Sequence, residues 1–266
     1  MAPQRPHEGD PLSREERQEQ ADDLISFSDR ELDLLGNITG LKVLYAGGSS
    51  PLWLEGLSQR VGKGGGLTAL DADAERIEAS RQLLRDADLA VPVRLVAGDV
   101  FLPPFEENMF DLIYSAGFFH ELDVEKRSAD DALEALVALV RAGGRVATSD
   151  FVDGASAAQL EDEELAREVA RETRGARLWG IGDVDRLVAL HETLLEDVRW
   201  RILPPFPIRH LDKSFLAEGE PAEARRLPAR KRRALRERRE RMRGRVEREG
   251  YTRPATLYVE GFVPGG

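Results

Sequence analysis

Five short polar clusters in this chain each stand directly after an apolar run. Gly47-Gly48-Ser49-Ser50 follows residues 41–46, and Asp71 closes 67–70. Gly98-Asp99 follows 93–97, Ser115 to Glu121 follows 110–114, and Asp150 closes 145–149. The small residues at 47–50 let a backbone come close to a ligand. Pro51 and the periodic apolar residues 52–61 open a helix there, whose first N–H groups face a polar or anionic group. A carboxylate at 71 can accept both hydroxyls of a ribose. One at 99 can accept from an exocyclic amine, with Val100 and Phe101 flanking a flat ring. The set describes a site for an adenosine-containing ligand. Purely structural roles stay open: Asp71 as a helix cap, Asp99 as the cap of the turn before Phe101, and Asp150 as the end of its strand. His120-Glu121 is the candidate catalytic pair, since histidine exchanges protons near neutral pH. The alternative is that His120 bonds a backbone group and fixes its loop.

Composition narrows the chemistry. The chain has 266 residues, no cysteine and four scattered histidines, so disulfides, thiolate chemistry and a histidine-rich metal site are not expected. No apolar run approaches the roughly 18 residues of a membrane span. The first residues lack the apolar core of a signal peptide, so the expected location is cytoplasmic.

The clusters need elements to hold them. Apolar runs at 41–46, 67–71, 93–97, 110–116 and 145–150 read as buried strands. Helical patterns at 51–61, 74–86 and 129–141 stand between them, the second burying Ile77, Leu83 and Leu84 and the third ending at Gly143-Gly144. Alternation at this spacing specifies right-handed crossovers and a doubly wound, mostly parallel α/β sheet. Ligands of such sheets bind beyond the carboxyl ends of the strands, where all five clusters stand. Ahead of the sheet, Ser13 to Glu16 and Ser28 to Glu31 each read as a capping box, predicting two helices, with Gly36 as the second one's cap. Beyond it come charged helices at 156–174, a helix from Asp183 to about 195, a strand at 198–203, a basic helix at 230–248 and a last strand at 256–263.

At these residues the chain resembles the class I S-adenosylmethionine-dependent methyltransferases. The likeness rests on Val43 to Ser49, Thr68 to Asp71, Ala97 to Asp99, Phe110 to Ser115 and Arg141 to Val146. It implies a seven-stranded Rossmann-like sheet whose last strand is antiparallel, and S-adenosylmethionine as cofactor. It implies that Ala46, Gly47, Gly48 and Ser49 lie under the methionine part, and that Asp71 holds the ribose with Ala72 beside the adenine. Asp99 and Val100 would hold the adenine edge, and Ser115 and Gly117 would line the far side of the sulfonium. Tyr45 stands where the family usually has an acidic residue, and Ser49 and Pro51 where it usually has glycines. A nicotinamide-dependent dehydrogenase shares the sheet, but its glycine spacing and a Tyr-x-x-x-Lys pair are absent.

The expected organisation is a disordered tail at 1–11, N-terminal helices at 12–40, a core of 41–203 and 255–264 with a cap at 152–182, and a basic insertion at 204–254. The net charge of −11 hides an asymmetry. Between Arg225 and Arg248 the balance is +10, leaving −21 elsewhere. Three uses of 225–248 stay open: an arm over the acidic body, a homo-oligomer contact, or a site for RNA or another polyanion. The expected acceptor is a small molecule, because no Asn/Asp-Pro-Pro-Tyr element follows the 110–116 strand, and its site is expected between the loop after that strand, the cap near 155–180 and the N-terminal helices. A binding or scaffold protein keeping the fold without catalysis, or an RNA or protein methyltransferase using the insertion, is the alternative.

Overall fold

The computed structural model describes residues 11–124, 127–152, 156–182 and 184–265. The tail expected at 1–11 lies outside the described residues except for its last residue, as do 153–155 of the expected cap and the helix start expected at Asp183. Seven strands form one sheet: β1 (Lys42–Ala46), β2 (Gly66–Asp71), β3 (Val93–Ala97), β4 (Phe110–Ala116), β5 (Val140–Val152), β6 (Glu196–Leu203) and β7 (Ala255–Phe262). Their order is β3-β2-β1-β4-β5-β7-β6. The first five are parallel, and β7 runs antiparallel between β5 and β6. Chain order reverses between β1 and β4, which opens a crevice at their carboxyl ends.

Helices cover both faces. Along β1, Leu44 and Ala46 point to one face, Val43 and Tyr45 to the other. The first face packs on α4 (Ala129–Ala138) and α6 (Val184–Glu192) through Leu133, Leu136, Leu187 and Leu190. The second packs on α1 (Arg14–Leu32) and α2 (Pro51–Val61), with Leu84 of α3 (Ala74–Leu84) alongside. Each such leucine contributes about 1.5–3 kcal/mol relative to an exposed one. Burial on both faces is why these strands show continuous apolar runs instead of alternation.

Several local expectations are corrected. Among the described residues one α-helix, followed by a 3-10 turn at Asp33–Leu35 that ends at Gly36, precedes β1 where two helices were expected. Ser13 caps α1 with the expected capping box, but Ser28 lies inside the helix and its hydroxyl donates to the Ile25 carbonyl at 2.9 Å. The second capping box fails because Phe27, Glu31 and Leu32 continue the buried stripe of the same helix. The helix predicted at 129–141 stops at Ala138, and β5 begins at Val140, five residues earlier than expected. α6 ends at Glu192, short of 195. Leu83, expected in the core, is 57% exposed, since the stripe of α3 runs through Ile77, Ser80 and Leu84.

The segment between β6 and β7 folds as α7 (Leu211–Ala217), a short 3-10 turn and α8 (Ala229–Glu249). Leu235, Met242 and Val246 of α8 and Phe215 of α7 share a small core with Ala158, Leu165 and Val169 of α5 (Ala157–Arg174). Around it, basic groups of α8 pair with acidic groups of α5. Arg238 meets Glu168 at 2.7 Å, Arg245 meets Glu161 at 3.3 Å, and Lys231 meets Glu172. These contacts match the arm-over-acidic-body use of the basic segment. On its other side the insertion is tied to α1: Arg209 to Asp23 at 2.9 Å, His210 to Glu19 at 2.7 Å, and Lys213 to Glu16. Among the described residues no helix is long and apolar enough to cross a membrane.

Candidate functional site

The crevice between β1 and β4 is built mostly from backbone. Gly47 and Gly48 turn out of β1 and donate their N–H groups to the Leu70 carbonyl at 2.9 and 3.1 Å. Gly98 donates to the Asp71 carbonyl at 2.9 Å. Gly47 has φ +79°, and a Cβ there would lie 2.0 Å from the Phe118 ring, so glycine is required both for the turn and for the approach of that ring. Ser50 stands at the N-cap of α2 without a side-chain cap bond, and Pro51 occupies the first turn. Ser49 is engaged elsewhere: its hydroxyl donates to Asp71 Oδ2 at 2.8 Å. Asp71 Oδ1 accepts from the Asp73 N–H at 2.9 Å. Two oxygens with one bond each keep lone pairs for a further donor.

Two connected grooves occupy the crevice. One, of about 650 Å³, is lined by Gly47, Asp71, Ala72, Asp99, Val100 and Phe118. The second, of about 330 Å³, runs along Gly47, Gly48, Ser49, Asp71 and Gly117. The structure thus brings together Gly47, Gly48, Ser49, Asp71, Ala72, Asp99, Val100 and Gly117. Two expected residues stand behind this surface. Ala46 is buried among core side chains. The Ser115 hydroxyl faces Thr148 Oγ1 at 3.2 Å, and Thr148 faces His191 Nε2 at 2.9 Å. Burial depresses His191 to about 4, so its ring is neutral, with Nδ1–H donating to the Leu187 carbonyl. Asp99 also plays its structural part, accepting from the Phe101 N–H at 3.0 Å. Arg76, absent from the sequence reading, lines both grooves.

His120 stands where the larger groove meets a third space. Its Nδ1 lies 2.7 Å from Asp150 Oδ1, and the two side chains are almost wholly buried. Asp150 also accepts the N–H groups of Phe119 (2.6 Å), His120 (3.3 Å) and Phe151 (2.7 Å). Its carboxylate therefore organises the whole turn rather than merely closing β5. Burial alone would push the His120 ring below its usual value, but the adjacent Asp150 charge and hydrogen bond outweigh it and raise it to about 9. Glu121 is the outer member, 62% exposed and 3.9 Å from His120 Nε2. Gly117, at φ +61°, turns the chain so that His120 Cε1 would lie 3.4 Å from a Cβ there.

The third space is a cavity of about 400 Å³. The sheet end supplies Ser149, Asp150, Phe151 and Thr256, α1 supplies Phe27 and Glu31, and α5 supplies Gln159, Asp162 and Glu163. The insertion forms its roof through Leu211, Ser214, Phe215 and Tyr251, a part the sequence reading did not assign to it. Burial pushes Glu31 up to about 7 and holds Asp162 and Glu163 above the usual carboxylate range. One sequence signal for Glu31 existed: a lone carboxylate at i+4 from Phe27 and beside Leu32, on the apolar stripe of α1. Among the described residues no cluster of three His, Cys, Asp or Glu side chains could hold a metal ion.

Comparison with known proteins bears on this arrangement. A family model described as "Methyltransferase domain" matches residues 43–144. The chain is 34% identical over 143 residues to a ubiquinone/menaquinone biosynthesis C-methyltransferase, UbiE, of Idiomarina loihiensis, covering 51% of this chain and 55% of that one. It spans about half the length of the curated relatives it matches. Among solved structures, the phosphoethanolamine N-methyltransferase 2 of Haemonchus contortus in complex with S-adenosyl-L-methionine superposes with a TM-score of 0.59 at 14% identity, over 90% of this chain and 52% of that one. Geranyl diphosphate methyltransferase in complex with SAM gives 0.57 at 14% identity, over 96% and 93%. At that identity the likeness is one of fold.

Proposed function

We propose, from the premise that this chain carries a class I methyltransferase domain, that it transfers the methyl group of S-adenosylmethionine to a small organic acceptor. When bound, the cofactor supplies an electrophilic methyl group that moves by in-line displacement, which demands alignment and exclusion of water more than covalent help. The crevice residues suit the cofactor by shape and donor set. Asp71 keeps lone pairs for ribose hydroxyls, and Asp99, Val100 and Phe101 form the wall for a flat base. Gly47 to Ser49 leave room for the amino-acid end.

The acceptor is assigned to the cavity under the insertion. The observation that carries the reading is the meeting of the cavity with the larger groove at His120 and Glu121 and with the smaller one at Gly117 and Glu121. His120 directs Nδ1 to Asp150, which leaves Nε2 for the acceptor's proton. Asp150 fixes that tautomer and stabilises the imidazolium formed when Nε2 takes the proton. The raised value of His120 keeps the ring charged at neutral pH in the free protein, so the base form is reached as pH rises towards about 9.

Calorimetry with S-adenosylhomocysteine tests the cofactor half. Binding in the micromolar range is expected, with Asp71→Ala weakening it about tenfold or more through the lost charged acceptor. No binding at millimolar concentration refutes the reading, and unchanged affinity of Asp71→Ala refutes the placement of the ribose.

A further inference from the structure

The wall of the 400 Å³ cavity opposite His120 has unfinished hydrogen bonding. Glu31 Oε1, Ser149 Oγ, Gln159 Oε1 and Thr256 Oγ1 are buried there with no hydrogen bond of full geometry, while the Ser149 and Thr256 hydroxyls lie near enough to Glu31 to favour its charged form. Their residues are 1%, 1%, 5% and 2% exposed. All four atoms are oxygens, and three elements deliver them: α1, the sheet end and α5. Buried polar atoms are almost always satisfied, so a converging set left open marks a place for an outside group. Ionised Glu31 and Gln159 Oε1 can only accept, and the two hydroxyls, when turned towards Glu31, keep lone pairs, so a group carrying several hydrogens can meet all four at once.

Charge decides what that group is. Glu31, Glu121, Asp150, Asp162, Glu163 and Glu218 line the cavity, and the cations among its lining residues are Arg253 and protonated His120. The excess is negative, and His120 is already held by Asp150. Arg253 turns its guanidinium over the rings of Phe27 and Phe151, at 5.3 and 5.9 Å from their centroids. Those two rings are thus already faced by a cation, and Trp53 is a further aromatic residue in the lining that suits a cation of low hydration.

Resting on the methyltransferase reading above, we propose that the acceptor carries a cationic amine, whose ammonium group donates to Glu31 Oε1, Ser149 Oγ and Thr256 Oγ1. Glu31 is the charge that selects it, and the two hydroxyls and Gln159 complete its shell. The amine is thereby anchored at the inner wall, and His120 faces the same space from the side of the cofactor groove.

The full-length protein is titrated by calorimetry with benzylammonium chloride, benzyl alcohol and sodium benzoate, three probes of one shape and different charge. Each titration is run with and without saturating S-adenosylhomocysteine. Benzylammonium is expected to bind at least tenfold tighter than either of the others. Glu31→Gln, which keeps the shape, should weaken it about tenfold or more, and Thr256→Val about threefold. S-adenosylhomocysteine affinity should be unchanged in both variants. Preference for the alcohol or for benzoate overturns the inference, as does full benzylammonium affinity in Glu31→Gln. If either variant fails to fold, the probe ranking on the wild type decides alone. Failure of S-adenosylhomocysteine to bind would instead strike the methyltransferase reading, and the amine titration without it would still decide this one.

Discussion

Replacing Asp150 with asparagine tests the centre of the site. Oδ1 accepts from His120 Nδ1 and the Phe151 N–H, while Oδ2 accepts from the N–H groups of Phe119 and His120. An amide has one oxygen for these two pairs of donors. Keeping it towards the Phe119–His120 backbone turns an NH2 group onto His120 Nδ1, which must then accept and carry its proton on Nε2. That is the wrong tautomer for a base. The raised value of about 9, against 6.5 for a free ring, is 2.5 units, or about 3 kcal/mol of preference for the charged form. Without the carboxylate only the burial contribution remains of the pair, and the ring should titrate near or below 6.5. Imidazole NMR reads this without any substrate. His120 should be the ring titrating near 9 in the wild type, well separated from neutral His191 near 4, and should move down by at least two units in Asp150→Asn. Turnover, once an acceptor is in hand, should fall about 10²-fold or more. Stability has its own sign. The folded value lies above the unfolded one, so the pair's contribution is full below about 6.5 and is lost as pH rises through about 9. Urea midpoints of wild type should therefore fall between pH 6.5 and 9 by more than those of the variant. A ring still titrating near 9 in Asp150→Asn would refute the dyad.

Two further perturbations probe the frame around it. Gly47→Ala should cost about 1–3 kcal/mol in chemical denaturation and weaken S-adenosylhomocysteine binding, because φ +79° and the Phe118 ring both oppose a Cβ; Gly47→Ala with Phe118→Ala should regain the steric share, and equal loss in the two would mean that only the backbone angle matters. Arg238→Ala, which removes pairs with Glu168 and Glu164, should cost about 1 kcal/mol or less in 50 mM salt and almost nothing in 500 mM, by thermal unfolding at both ionic strengths.

The strands and the carboxylates at their ends were legible because their signals are local. A strand buried on both faces is largely apolar, and the residue that ends or follows it stands at the sheet's rim, so Asp71 and Asp99 could be placed by position, whereas Asp150 lies inside β5, which runs on to Val152. Ser49 and Ser115 show where position stops being enough: each lies at the rim, yet one hydroxyl turns to Asp71 and the other into the core towards Thr148. Boundaries failed where two local signals competed. Ser28 to Glu31 has the composition of a capping box, but the apolar stripe through Phe27 and Leu32 gains more by continuing the helix. The cavity's place between the loop after β4, the cap and the N-terminal helix was legible, but its polar lining was not. Glu31, Ser149, Gln159 and Thr256 come from stretches far apart in the chain, and of the four only Glu31, on the apolar stripe of α1, stands out where it lies. Only the docking of α1 and α5 around the ends of β5 and β7 brings them together.

The roof over that cavity has two unlike seams. Along α5 and α8 it is joined by Leu165, Val169, Leu235, Met242 and Val246, around which the ion pairs are arranged. Along α1 it is joined by Arg209, His210 and Lys213 to Asp23, Glu19 and Glu16. Apolar adhesion is indifferent to dilute salt, and exposed ion pairs are not. Raised ionic strength therefore weakens ion pairs at both seams, but only the seam at α5 keeps an apolar core beneath them. A rise in salt thus takes more of the holding contacts from the edge at α1 than from the edge at α5.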